Sequence, residues 1–184
     1  LKPTAMLAPS DVDRLKTLAA VASQYAAIEP VLGMGLTGRY LLAALDAGSA
    51  EDLAVALAME ITLRGVQEDE SACKKMLQCL DRVADIDPSP RVAAWHALGW
   101  ASYLTMTGRS RQAEARIQES LQRFADVPVV LHWEASFLRY VESMACCGTM
   151  RVDHFARVAR EIEERRAAGE RASEVRLTAF LITY

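Results

Sequence analysis

Asp85-Ile-Asp-Pro-Ser-Pro-Arg-Val-Ala-Ala-Trp-His-Ala-Leu-Gly-Trp-Ala-Ser-Tyr-Leu-Thr-Met-Thr-Gly-Arg-Ser-Arg-Gln-Ala-Glu-Ala-Arg-Ile117 is the stretch that decides the fold. Pro88 and Pro90 stop whatever precedes them, because a proline ring cannot continue a helix and pushes the residue before it toward extended geometry. A helix then starts near Arg91. Val92, Trp95, Leu98 and Gly99 recur every three or four residues, so large and small groups share the face that another helix would cover. Gly108 ends that helix by taking the left-handed conformation at little cost. Ala113, Ile117 and Leu121 repeat the spacing on the way back, which makes the stretch a pair of antiparallel helices.

The punctuation recurs outward in both directions. Gly48, Pro88, Pro128 and Gly169 lie about 40 residues apart, and Gly65, Gly108 and Gly148 fall at a similar interval half a unit out of phase, as a helix-turn-helix repeat requires. Ser10 or Asp11 can cap a first helix carrying Val12, Leu15, Leu18, Val21, Ala22 and Tyr25 up to Pro30. A second runs from about Leu32 to Ala47 and a third from Ser49, with Leu53, Leu57, Ile61 and Leu63, to a stop at Gly65. A fourth begins at the acidic cap Glu68-Asp-Glu70, where negative charge meets the positive end of the helix dipole, and carries Met76, Leu77, Leu80 and Val83. After the central pair, helices are expected from about Val130 to Cys147, from about Val152 to Ala168 and from near Ser173. The expected fold is all-α, a right-handed α-solenoid of about nine helices in antiparallel hairpins, spanning 1–184 as a single domain.

Composition agrees. Of the 184 residues, 52% are hydrophobic and 24% charged, which suits packed helices rather than disorder, and valine never alternates with polar residues as a half-buried strand would. The formal net charge of -3 lacks the basic excess of a nucleic-acid surface. Arg39 and Asp46 interrupt the longest apolar candidate for a membrane span, and no signal peptide is evident. Cys73, Cys79, Cys146 and Cys147 fit neither a C-x-x-C nor a zinc pattern, so they read as reduced thiols of a cytoplasmic protein. The chain opens at Leu1 and closes on the apolar run Leu177 to Tyr184, which suggests a piece of a longer protein and a terminal helix through which two copies could pair.

One repeat resembles a named family. Trp95-x-x-Leu98-Gly99-x-x-x-Tyr103 followed by Gly108-x-x-x-x-Ala113 resembles the tetratricopeptide repeat, with the tyrosine one position late and the first helix about two residues longer than in the family's unit. Gly38 to Gly48, Val92 to Leu104 with Gly108-Arg109, and Val158 to Glu170 together resemble the helical region C-terminal to the kinase and ATPase-like modules of bacterial eukaryotic-type serine/threonine kinases. That resemblance implies a regulatory or partner-binding arm of a signalling protein. The kinase signatures themselves, a valine-alanine-x-lysine strand, a His-Arg-Asp loop and an Asp-Phe-Gly, are not in this sequence.

Motifs with the composition of a chemical site are few. Gly33-Met-Gly35-Leu-Thr-Gly38 spells G-x-G-x-x-G and Asp52 follows at a distance suited to a ribose-binding acid, but a dinucleotide fingerprint must follow a buried strand and here an alanine-rich helix precedes it. The expected role is a close helix crossing. His96, His132 and His154 are too far apart to pair on one helical turn, so no metal site is expected, and no nucleophile, base and acid are tied into a triad. In Arg151 to Arg171 the charges alternate, Arg157 with Glu161 and Glu161 with Arg165, as on a solvated face. No catalytic residue or cofactor is expected.

On the repeat template His96, Trp100 and Tyr103 face the concave groove, and a shift of one repeat adds Arg139 and Tyr140. Trp, Tyr and Arg dominate binding hot spots because they bury much surface while keeping a polar handle. The competing reading packs Trp100 and Tyr103 against the neighbouring hairpin. The expected function is a non-catalytic protein-interaction module that takes a peptide or a neighbouring domain. The alternative is an effector-sensing helical arm of an ATPase-type transcription regulator that binds a small molecule.

Overall fold

A computed structural model describes residues 1–2, 6–130, 132–149 and 152–167, and within them the chain forms eight α-helices and no strand. They are α1 (Pro9–Ile28), α2 (Pro30–Ala47), α3 (Ala50–Val66), α4 (Glu70–Ile86), α5 (Pro90–Met106), α6 (Ser110–Ala125), α7 (His132–Gly148) and α8 (Val152–Ala167). The count of about nine is therefore corrected to eight for the described residues. The helix expected from Ser173, and the apolar run through which two copies could pair, lie outside them. No described helix is long and apolar enough to cross a membrane.

Most breaks follow local chemistry. Pro30 and Pro90 open α2 and α5 at the first helical position, where the missing N–H would have had no partner. Gly48 (φ 73°) and Gly108 (φ 74°) reverse the chain in the left-handed region. Ser49, Asp69 and Ser89 cap α3, α4 and α5 by accepting from the amides of Asp52, Ala72 and Val92. Gly65 departs from expectation. It sits inside α3, which runs on to Val66, and the turn beyond is made by Glu68 at φ 59°. The reason is contact, since a side chain at Gly65 would meet that of Met106 on α5.

Packing joins neighbours in two ways. Each helix lies against the next in sequence, and α3 also packs directly on α5, as α5 does on α7; outside both modes, α1 touches α7. Leu53 to Thr62 of α3 are buried without interruption, so this helix is enclosed on all sides by α2, α4 and α5. Alanines at 54, 56 and 58 keep the enclosing helices close. Gly99 of α5 settles against Ala58 and Leu80, and the buried hydroxyl of Thr62 donates to that of Ser102 at 2.9 Å.

The joint between α5 and α7 combines aromatic and ionic contacts. Trp95 is fully buried, with the rings of Phe124, Trp133 and Phe137 centred 5.6–5.8 Å away. Its indole N–H donates to Glu134 Oε1 at 3.1 Å, and the same oxygen accepts from Arg91 at 2.6 Å. A buried carboxylate needs such partners to keep its charge. At the neighbouring helix start, Tyr40 donates to Asp52 at 2.8 Å, and burial first, then the Asp52 charge, pushes the phenol's pKa well up.

The glycines of α2 yield a paired test. A Cβ at Gly33 would fall on the backbone of Ala26 where α1 and α2 cross, whereas at Gly35 it would meet nothing. Denaturant unfolding should therefore show Gly35→Ala more stable by about 1 kcal/mol and Gly33→Ala less stable by about 1–3 kcal/mol. Equal effects of the two substitutions would contradict this account of the crossing.

Candidate functional site

The antiparallel run of α4 and α5 brings Asp81 opposite His96 and Trp100, which lie one turn apart on α5. One oxygen, Asp81 Oδ1, accepts from the Trp100 indole at 2.9 Å and from His96 Nε2 at 2.8 Å. A carboxylate only accepts, so the His96 proton faces it from Nε2. Both rings remain partly exposed, which leaves an indole and an imidazole held in fixed orientation at the surface. Orientation by a hydrogen bond lowers the entropy a partner must remove on binding.

Tyr103 differs from its two companions. Only 4% exposed, it lies edge-on to Trp100 with ring centroids 6.1 Å apart and donates to Glu70 Oε1 at 3.0 Å. Glu70 also holds Lys74 at 2.9 Å, and these two partners keep its carboxyl below the ordinary range. Burial first, and then the Glu70 hydrogen bond, raise the Tyr103 phenol. Tyr103 thus supports Trp100 from behind more than it offers surface of its own.

Arg139 is engaged on another face of α7. Arg139 binds Glu142 at 2.7 Å and lines a recess of about 190 Å³ with Leu121, Phe124 and Leu138, on the α6 side of α7. Tyr140 is half-buried beside Phe137, ring centroids 6.4 Å apart.

A second site, which no local pattern announced, lies between α6 and α8 over α7. It is a cleft of about 600 Å³ lined by charged side chains, with Glu142 and His154 at its base. Glu142 is 4% exposed and receives Arg139 and Arg157, each at 2.7 Å. Burial opposes its charge, but the hydrogen bonds from Arg139 and Arg157 outweigh it and hold the carboxyl below its usual range. His154, 3% exposed, meets Ser143 Oγ through Nε2 at 3.0 Å and Arg157 through Nδ1 at 2.9 Å.

Ser143, His154 and Glu142 superficially have the composition of a nucleophile, base and acid. The hydrogen-bond directions oppose that role. A guanidinium can only donate, so Nδ1 accepts from Arg157 and the ring proton sits on Nε2, pointing at Ser143. The Glu142 oxygen is 3.8 Å from Nδ1, beyond a hydrogen bond. His154 thus donates to Ser143 instead of withdrawing its proton, and the cluster holds α8 on α7. Arg157 reaches Glu142 across helices, a partner that spacing within α8 could not reveal.

The remaining motifs have plain settings. Gly33, Gly35 and Gly38 lie inside α2, where no strand precedes them. Asp52 accepts from Tyr40 and Ser49. Cys73 and Cys146 are buried, Cys79 and Cys147 exposed, and none of the four forms a disulfide. Among the described residues no three His, Cys, Asp or Glu side chains gather as they would around a metal ion. No family model, curated protein or solved structure matches the chain.

The buried imidazole gives the cleft a pH signature. Burial is the largest influence on His154; Arg157 and Arg139 add to it, against the pull of Glu142 and Asp153, and the folded pKa lies below the ordinary value. Between the two values the unfolded chain binds more protons than the folded one, so stability is full above about pH 6.5 and declines as pH falls through that range. Urea unfolding at stepped pH should show this decline in the native chain and a shallower one in His154→Gln, by up to about 1.4 kcal/mol per pH unit. Identical slopes would assign the effect to other groups.

Proposed function

We propose that the chain is a non-catalytic interaction module, a tetratricopeptide-like right-handed solenoid serving as a regulatory arm of a cytoplasmic bacterial signalling protein of the serine/threonine-kinase type. The packing of α3 on α5 and of α5 on α7, alongside contacts between sequence neighbours, supports the repeat reading, because stacked hairpins touch in this alternating way; α1 departs from the pattern by reaching across to α7. The observation that carries the function is the Asp81 clamp. An indole and an imidazole fixed together at a partly exposed surface offer the apolar area and polar handles that a peptide or neighbouring domain recognises.

The test is capture of partners from a cell extract by the native chain and by Trp100→Ala. Loss of the same specific partner, with the melting temperature lowered by about 2–4 °C at most, is expected, since the indole packs at the edge of the core and stays partly exposed. Unchanged capture would remove this surface from the function. A large drop in melting temperature would place Trp100 among the structural residues. The rival reading, an effector-sensing arm of an ATPase-type regulator, draws on another feature, the charged cleft between α6 and α8.

A further inference from the structure

The cleft between α6 and α8 lies within the volume range of small-molecule sites. Its charged groups are not evenly engaged. Arg157 is committed to Glu142 and His154, and Glu142 is shared with Arg139. Glu114 accepts the hydroxyl of Thr149 at 2.6 Å, and Asp153 also lines the cleft, so three acids stand beside three arginines. By contrast Arg111 of α6 and Arg160 of α8, both lining the cleft, form no ion pair among the described residues. Two guanidinium groups from different helices thus border one polar cavity in a protein whose net charge is -3.

We propose that this cleft binds a small organic anion, a phosphate ester or polycarboxylate of metabolite size, bridged between Arg111 and Arg160 above the Arg157–Glu142 pair. Guanidinium groups suit both anions, because their planar fork presents paired N–H groups to two oxygens at once. The buried Glu142 is already neutralised by two arginines, so it does not turn the base of the cleft against a negative ligand. Bridging also has a mechanical consequence. α8 rests chiefly on α7 and contributes only Val158 and Ile162 as a small separate core, so an anion tying it to α6 would fasten the least anchored described helix. This rests on the effector-sensing reading of the cleft and is independent of the Asp81 surface.

Inorganic pyrophosphate and citrate serve as probes, titrated calorimetrically at about 0.15 M salt, with hydrogen exchange of α8 followed in parallel. Saturable binding and slower exchange in α8 are expected with at least one probe, the dissociation constant rising about tenfold or more in the double variant Arg111→Gln, Arg160→Gln. Both arginines lie at the surface, so circular dichroism and melting of that variant should match the native chain. Lys75→Gln with Arg82→Gln removes the same charge from α4 and should leave affinity unchanged. The proposal is overturned by absence of saturation at about 10 mM probe, by equal weakening in both double variants, or by binding confined to long acidic peptides. None of these results touches the Trp100 surface, which is read by partner capture.

Discussion

The seating of α5 on α3 is the constraint from which the rest of this structure follows. Gly99 has no side chain, so α5 can approach Ala58 and Leu80 closely, and the Thr62–Ser102 hydrogen bond fixes how far it slides along α3. A hydroxyl pair in a dry interface is demanding, because a shift of register would take Thr62 from Ser102, although Thr62 would keep the Ala58 carbonyl of its own helix. Alanines along α3 extend the close approach to its other neighbours. What α5 presents elsewhere is then determined: Trp95 is driven into the α6–α7 aromatic cluster, and His96 and Trp100 are turned toward Asp81.

Charges inside the fold act as joints between helices. Glu134 ties the start of α5 to α7, and Glu142 ties α7 to α8, each through arginine. Such pairs add little net stability over an apolar replacement, yet breaking one side is costly, which makes them good devices for specifying one arrangement. They also leave Arg111 and Arg160, at the α6–α8 cleft, outside any ion pair among the described residues. The two surfaces of functional interest therefore differ in character: one is aromatic and fixed by Asp81, the other is charged and borders the least anchored described helix.

How much of this was legible in the sequence depends on whether a feature is local. Pro90, Gly48, Gly108 and the caps Ser49 and Ser89 act on their own turns, and the helix boundaries they announce are found within a residue or two. Trp95 was legible because its helical spacing places it on a buried face. Gly65 stands one residue from the end of α3, but its task is contact with the distant Met106 while the left-handed turn falls to Glu68, and local sequence does not separate those roles. The charge clusters were not legible at all. Arg91 and Glu134 are 43 positions apart, and Arg157 and Glu142 lie on different helices, whereas sequence spacing shows only pairs on one face of one helix. The candidate groove was half legible: His96 and Trp100 share a surface, while Arg139 belongs to another side of the fold.

Native-state hydrogen exchange, read helix by helix, tests most directly whether an α3–α5 spine carries more loosely held functional surfaces. Amides of α3 between Leu53 and Thr62, and of α5 between Ala94 and Leu104, should exchange only through global unfolding, while those of α8 should open at a much lower free energy. Equal protection in α3, α5 and α8 would contradict the account, since the chain would then be a single cooperative block with no privileged seam.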